Sequence, residues 1–415
     1  MNFVLRNIGQ LATCPPDNQQ SDAGLISNAA VVIEGDRVAW SGPESQLSSA
    51  HRSLRAFDCD GRLMVPGLVD CHTHLCFAGW RAEEFTARNM GKGYMALQAE
   101  GGGIGSTVDA TRSASKTVLF DRALEVLDEM LQLGVTTVEC KSGYGLDREN
   151  EIKQLEVYAQ LRESHPVRLL PTYLGAHVVP REFENKREAY VQLICETVLP
   201  EIAERQLAEF CDVFLESNAF RCDEARHILT RAKALGLGLK IHADQLSNGR
   251  GAALAAELGA CSADHLEYAD AEGIAALASA SVVAVSLPLA SLYLHERFLP
   301  AREFMDAGVR VAVATDFNPG SAPSFHLPLA MTLAAIHQSM SPAEVLMGAT
   351  TVAAQALGLQ DRVGSLVEGY AADLALIGAI NLDHWIYHLR PNACCAVMRG
   401  GQWVVGGNQE SRVVC

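Results

Sequence analysis

From Leu63 onward the chain alternates short apolar runs with longer amphipathic stretches. The runs cover residues 63–69, 135–139, 167–174, 210–215, 237–241, 260–264, 282–286 and 309–314. Between them lie helix candidates at 121–133, closed by Gly134, at 148–164, ahead of Pro166, and at 223–235, closed by Gly236. A glycine just past the last helical residue suits a left-handed cap. Parallel strands need a crossover, usually helical, to bring the chain back, so this alternation predicts a (β/α)8 TIM barrel. An open doubly wound sheet shares the alternation, and the pattern alone does not close the ring.

The ends of the chain read differently. Residues 4–11 and 29–33 are strand-like, and Glu34-Gly35-Asp36-Arg37 is a turn leading into Val38-Ala39-Trp40. Beyond helix candidates at 326–338 and 342–357, strand-like segments return at 374–377, 396–399 and 403–405. The expected fold class is therefore α/β: a barrel over 63–359 and a small β-sandwich composed of 1–62 and 360–415. Residues 77–116 carry no strand pattern, and the glycines at 101–103 and 105 lack the Lys-Ser/Thr of a phosphate loop. This long segment is expected to form a wall or lid of the active site.

Polar residues follow the apolar runs with regularity. His72 and His74 come after the first, Lys141 and Tyr144 the second, His177 the third and Glu216 the fourth. His242 follows the fifth, His265 the sixth and Asp316 the eighth. In a barrel all C-terminal strand ends open on one face, which carries the active site. In extended backbone alternate side chains share a face, so His72 and His74 project together. His-x-His is common and by itself need bind nothing. The register of the other strand ends makes it part of a site.

Composition narrows the function. A net charge of −16 argues against nucleic-acid or anionic-membrane partners. The longest apolar stretch, 282–294, is too short for a bilayer span and is interrupted by Ser286, Pro288 and Ser291. The N-terminal residues show no long apolar core or small-residue cleavage site and read as a first strand. Twelve cysteines are scattered without a C-x-x-C pair, which points to reduced thiols and a cytoplasmic protein.

His72, His74, His242 and Asp316 together offer three imidazoles and one carboxylate. Such donors suit Zn2+ or Fe2+ better than Ca2+ or Mg2+. One divalent metal of this kind lowers the pKa of its water from about 15.7 towards ~7. Asp316 can take the water proton, and His265 can orient the water or steady an oxyanion; these two are the catalytic candidates.

The stretch Val65-Pro66-Gly67-Leu68-Val69-Asp70-Cys71-His72-Thr73-His74, taken with His242, His265 and Asp316, resembles the amidohydrolase superfamily. The segment Gly364…Gly369…Ala372-Asp373-Leu374 is similar to that superfamily's returning sandwich strands. Five further sequences are similar, in order, to the imidazolonepropionase family. They are Cys71-His72-Thr73-His74-Leu75 followed by Arg81, Lys141-Ser142-Gly143-Tyr144-Gly145, Leu174-Gly175-Ala176-His177, Ile241-His242-Ala243-Asp244-Gln245 and Thr315-Asp316-Phe317-Asn318-Pro319-Gly320-Ser321.

The resemblance implies one metal per chain, a homodimer, and hydrolytic ring opening of a small anionic substrate, 4-imidazolone-5-propanoate. It also implies substrate contacts at Arg81, Tyr94, Tyr144, His177, Gln245, Asn318, Gly320 and Ser321. The fork of Arg81 suits a carboxylate. Some members of the family have glutamate where this chain has Gln245, and an amide cannot serve as a base at useful pH. The nearest rival reading, another mononuclear amidohydrolase such as a cyclic amidase or nucleobase deaminase, is disfavoured by Gln245 and Arg81. A barrel scaffold without catalysis should have lost metal ligands, and none is missing.

Overall fold

The computed structural model describes residues 2–91 and 102–406. Five strands open the chain: β1 (Asn2–Ala12), β2 (Leu25–Glu34), β3 (Arg37–Pro43), β4 (Arg55–Asp58) and β5 (Leu63–Pro66). Eight follow: β6 (Leu68–Asp70), β7 (Val135–Lys141), β8 (Arg168–Ala176), β9 (Phe210–Leu215), β10 (Gly238–Ala243), β11 (Ser262–His265), β12 (Val283–Ser286) and β13 (Val311–Val313). The chain then returns through β14 (Leu374–Ile377), β15 (Cys394–Arg399) and β16 (Gln402–Val405).

The strands from the two ends form one sheet in the order β16-β15-β14-β5-β1-β2-β3, with β4 also on β1. The length of β1 explains the branching: Phe3–Arg6 pairs with β4 and Gln10–Leu11 with β5 along the same edge. The sheet folds over a core of Leu5, Ile8, Leu11, Val31, Leu374, Leu376 and Met398. Phe57 of β4 meets Trp403 of β16 edge-on at 6.2 Å, which brings the far strands together. The expected sandwich is thus a single sheet wrapped on itself.

Strands β6 to β13 form the parallel barrel, each beside its sequence neighbour. Its ring closes just past the last strand. The Asp316 amide donates to the His72 carbonyl (3.0 Å) and the His74 amide to the Phe317 carbonyl (2.8 Å). Asp70 reinforces the seam by accepting from the Thr315 amide (3.2 Å) and hydroxyl (2.6 Å).

Two expectations require correction. The apolar run 63–69 is not one strand: β5 lies in the terminal sheet and β6 in the barrel. The break falls at Gly67, where a Cβ would sit 2.3 Å from the Thr136 hydroxyl, and the Gly67 amide turns to the Asp373 carbonyl (2.8 Å). Every residue on both sides is buried, so hydropathy does not mark the crossing. Within 77–116 the chain is not a plain loop but carries helices Ala82–Asn89 and Ile104–Ser113. Among the described residues ten cysteines are free thiols, as expected, whereas Cys395 is disulfide-bonded, contrary to that expectation. Among the described residues no helix is long and apolar enough to cross a membrane.

Candidate active site

The barrel mouth gathers most of the residues singled out from the sequence. His72 and His74 leave β6 on the same face, their rings 5.4 Å apart, while the Thr73 hydroxyl turns away to the Glu139 carbonyl. His242, on β10, brings its ring to 4.5 Å from His72 and 5.5 Å from His74. Asp316 Oδ1 lies 3.3 Å from Nε2 of both His72 and His74. His265 and Asp316 hold positive φ angles, 78° and 55°. Non-glycine residues adopt that region at a cost of about 1–3 kcal/mol, characteristically where function demands it.

The chemistry of these donors fits a divalent metal. His72 Nδ1 is 2.6 Å from Asp264 Oδ2, and His242 Nδ1 is 2.9 Å from Asp212 Oδ2. Both carboxylates stay ionised: burial would raise them, but the neighbouring cations and imidazoles hold them far below the usual range. The His72 Nδ1 is therefore the proton-bearing nitrogen, and its Nε2 lone pair is left for the mouth. Nδ1 of His242 lies close to Asp212 without an aligned hydrogen bond. The Nε2 atoms of His72 and His242 are buried without a hydrogen-bond partner. Burial, with the charge of Lys141 adding to it, draws His72 down to about 3; burial draws His74 to about 4 against the pull of Asp316. Both are thus neutral at physiological pH, the form a metal ligand requires. Donor atoms of His72, His74 and His242 lie within 4.8 Å of one another, as do those of His72, His265 and Asp316.

Beneath the mouth lies a charge cluster around Lys141 whose acidic members, Glu139, Asp212 and Asp264, sequence reasoning did not name. Lys141 Nζ is 2.7 Å from Glu139 Oε1, 2.8 Å from Asp212 Oδ2 and 3.6 Å from Asp264 Oδ2, all fully buried. Burial would deprotonate the amine, but three carboxylates hold it charged. It thereby ties together the two carboxylates that orient His72 and His242. The available signal was a charged residue inside or at the end of four of the apolar runs, Glu139, Asp212, Lys240 and Asp264.

The helix Arg148–Ser164 shapes the loop after β7. Glu151 accepts from the amides of Gly143, Gly145 and Leu146, which sets Tyr144 with its ring 5.9 Å from His74. His177 stacks on His74 at 5.3 Å and bonds the Gly143 carbonyl through Nδ1 at 3.0 Å. Burial and the facing His74 and His242 keep His177 neutral. His265 moves the other way: burial opposes its charge, but Glu267, 3.8 Å from Nδ1, and then Asp316 raise it.

After Asp316 the chain makes a tight turn braced by Asn318, whose Oδ1 accepts from the Gly320 and Ser321 amides, both at 2.8 Å. The Ser321 hydroxyl stands 3.5 Å from Asp316 Oδ2. A cavity of about 630 Å3 is lined by Arg81, Tyr144, His177, Gln245, Asn318, Gly320 and Ser321 together with His74, His242, His265 and Asp316. Tyr94 lies outside the described residues. Glu216 does not point into the mouth; it accepts from the Leu246 and Ser247 amides and clasps two loops.

Three imidazoles and a carboxylate able to hold a metal, at the mouth of a parallel barrel, are the arrangement of an amidohydrolase, and residues 63–404 match the amidohydrolase family model. The sequence is 46% identical to the imidazolonepropionase of Geobacillus kaustophilus (strain HTA426) over 391 residues, 93% of this chain and 92% of that one. It is 44% identical to the imidazolonepropionase of Anaeromyxobacter dehalogenans (strain 2CP-1 / ATCC BAA-258) over 418 residues, 100% of this chain and 98% of that one. The chain belongs to the amidohydrolase family and, within it, to the imidazolonepropionases. Solved structures share the fold at low identity. Atrazine chlorohydrolase TrzN from Arthrobacter aurescens TC1, complexed with zinc, superposes with a TM-score of 0.68 at 18% identity, covering 99% of this chain and 96% of that one. The 5-methylcytosine deaminase of Klebsiella pneumoniae gives 0.70 at 16% identity, covering 99% and 98%.

Proposed function

We propose that this chain opens the ring of 4-imidazolone-5-propanoate by hydrolysis, giving N-formimidoyl-L-glutamate in histidine degradation. The observation that carries this reading is one cavity that joins His74, His242 and Asp316 to Arg81. A cyclic amide with a charged tail needs both.

His72, His74, His242 and Asp316 would hold a single Zn2+ or Fe2+. Bound there, the ion supplies the Lewis acidity that makes water a nucleophile at neutral pH. Asp316 accepts the proton as water adds to the ring carbonyl, and His265 steadies the oxygen that gains charge. His177, neutral and anchored through Nδ1, offers Nε2 towards the ring. The C–N bond then breaks, the proton passes to the departing ring nitrogen, and the carbonyl carbon becomes a carboxylate. Tyr144 covers the ring, Gln245 donates to it, and Arg81 with the Asn318–Ser321 turn holds the propanoate. The protein works as a cytoplasmic homodimer.

The test is direct. Purified, metal-analysed protein carrying stoichiometric zinc or iron is mixed with freshly made 4-imidazolone-5-propanoate, and the loss of its ultraviolet absorbance is followed. Turnover is expected with either ion; none with both would overturn the proposal.

A further inference from the structure

Two arginines, not one, converge on the turn after Asp316. Arg81 precedes the helix Ala82–Asn89, and Glu84 and Arg88 follow three and seven residues on, along one helix face. Arg81 places Nε and an amino nitrogen 2.9 and 2.7 Å from the same Glu84 oxygen. The other Glu84 oxygen accepts from the Gly103 amide at 2.7 Å. The remaining edge of Arg81 lies on Gly320, where a Cβ would come within 2.0 Å of it. Arg88 reaches the same glycine from another side and donates to its carbonyl at 3.2 Å. Both arginines line the cavity that holds His74 and Asp316.

Charge separates their roles. Burial would raise Glu84, but Arg81, the Gly103 amide and Arg88 hold it below the usual carboxylate range, so it is ionised at neutral pH. The ion pair of Glu84 with Arg81 is then neutral as a unit. Arg88 hydrogen-bonds an uncharged carbonyl and faces Glu84 only at longer range than Arg81 does, so two guanidinium groups against one carboxylate leave the group a net charge of plus one among the described residues. Glu296, the acidic side chain on the opposite wall, engages the Tyr268 hydroxyl at 3.4 Å. An uncompensated cation in a partly dry cleft attracts an anion far more strongly than a neutralised one does.

We infer that Arg88 is the residue that selects for the substrate's carboxylate: it supplies the unbalanced positive charge, while Arg81, locked by Glu84, supplies direction. This rests on the propanoate-bearing substrate named above. Gly320 has to be glycine for the same reason, because any side chain there would push the Arg81 guanidinium away.

The experiment compares 4-imidazolone-5-propanoate with its uncharged propanamide, using metal-loaded wild type, Arg88→Met and Arg88→Lys. Losing a hydrogen-bonded charge contact is expected to raise KM for the propanoate roughly 10- to 100-fold in Arg88→Met, with kcat little changed. The propanamide should be nearly indifferent, and Arg88→Lys should restore most of the preference for the charged substrate. Equal losses on both compounds would mean that Arg88 merely supports the helix, and an unchanged preference would mean that Arg81 suffices; either overturns the inference while wild-type turnover leaves the assigned reaction intact. Absence of wild-type turnover on both compounds would remove the reaction and the inference together. Circular dichroism checks that each variant is folded, and salt dependence of KM, expected to shrink in Arg88→Met, provides a readout that does not depend on the chemical step.

Discussion

At the scale of single residues, two side chains invite substitution for opposite reasons. Gln245 lines the cavity beside His242, and its amide cannot take a proton. Gln245→Glu should remain active but shift the pH profile of kcat/KM, because a new titrating group enters the mouth; total loss of turnover would show that the amide is indispensable. Lys141 touches no proposed ligand, yet it holds the carboxylates that orient His72 and His242. Lys141→Met should weaken metal binding about 10- to 100-fold in a chelator competition, the usual penalty for disturbing groups behind the ligands. An unchanged affinity would reduce the lysine to a packing role. The clustering of the candidate donors was legible in the sequence because each stands at a strand end with local spacing. Asp264 was not: its partner His72 is 192 positions away, and no local pattern encodes that pairing.

At the scale of elements, the loop after β7 depends on one carboxylate. Glu151→Ala would orphan the amides of Gly143, Gly145 and Leu146. Each buried orphan costs about 1–3 kcal/mol, so a loss of roughly 3 kcal/mol or more is expected in urea denaturation, with a raised KM as Tyr144 drifts. Stability near the wild-type value would show that water replaces the carboxylate. Clearly bounded elements were the readable ones: the polar helix Arg148–Ser164, ahead of Pro166, and the apolar strand Leu374–Ile377 stand where the sequence put them. The helix Ala82–Asn89 was not readable, since it buries no residue and its N-terminus has no side-chain cap. The split at Gly67 escaped notice for the converse reason, as both flanking strands are wholly buried.

At the scale of the whole molecule, the buried imidazoles tie folding to pH. In the metal-free protein His72 and His74 are drawn from 6.5 to about 3 and about 4, so between those values the unfolded chain binds more protons than the folded one. Their contribution is complete above about pH 6.5 and is lost as pH falls towards 4. The melting temperature of chelator-treated protein should therefore decline over that window, and His74→Asn should flatten the decline. A slope unaffected by that substitution would assign the acid sensitivity to other groups. The global architecture was legible because the alternation of runs and helices repeats through the whole barrel. The wrapping of the terminal sheet was not, since it depends on pairings such as β1 with β5 and β5 with β14.

The seam of the ring has a consequence for the order of assembly. His72 and His74 stand on one side and Asp316 on the other, about 240 residues later in the chain, so the donor set is incomplete until the first and last strands have met. Contacts so distant in sequence form late, after the entropy of closing a long loop has been overcome. Capture of the ion thus becomes a sign of completed folding rather than a seed for it. In refolding from urea with zinc present, helical signal should return before tight, chelator-resistant zinc does, and a chain truncated before β13 should never acquire it.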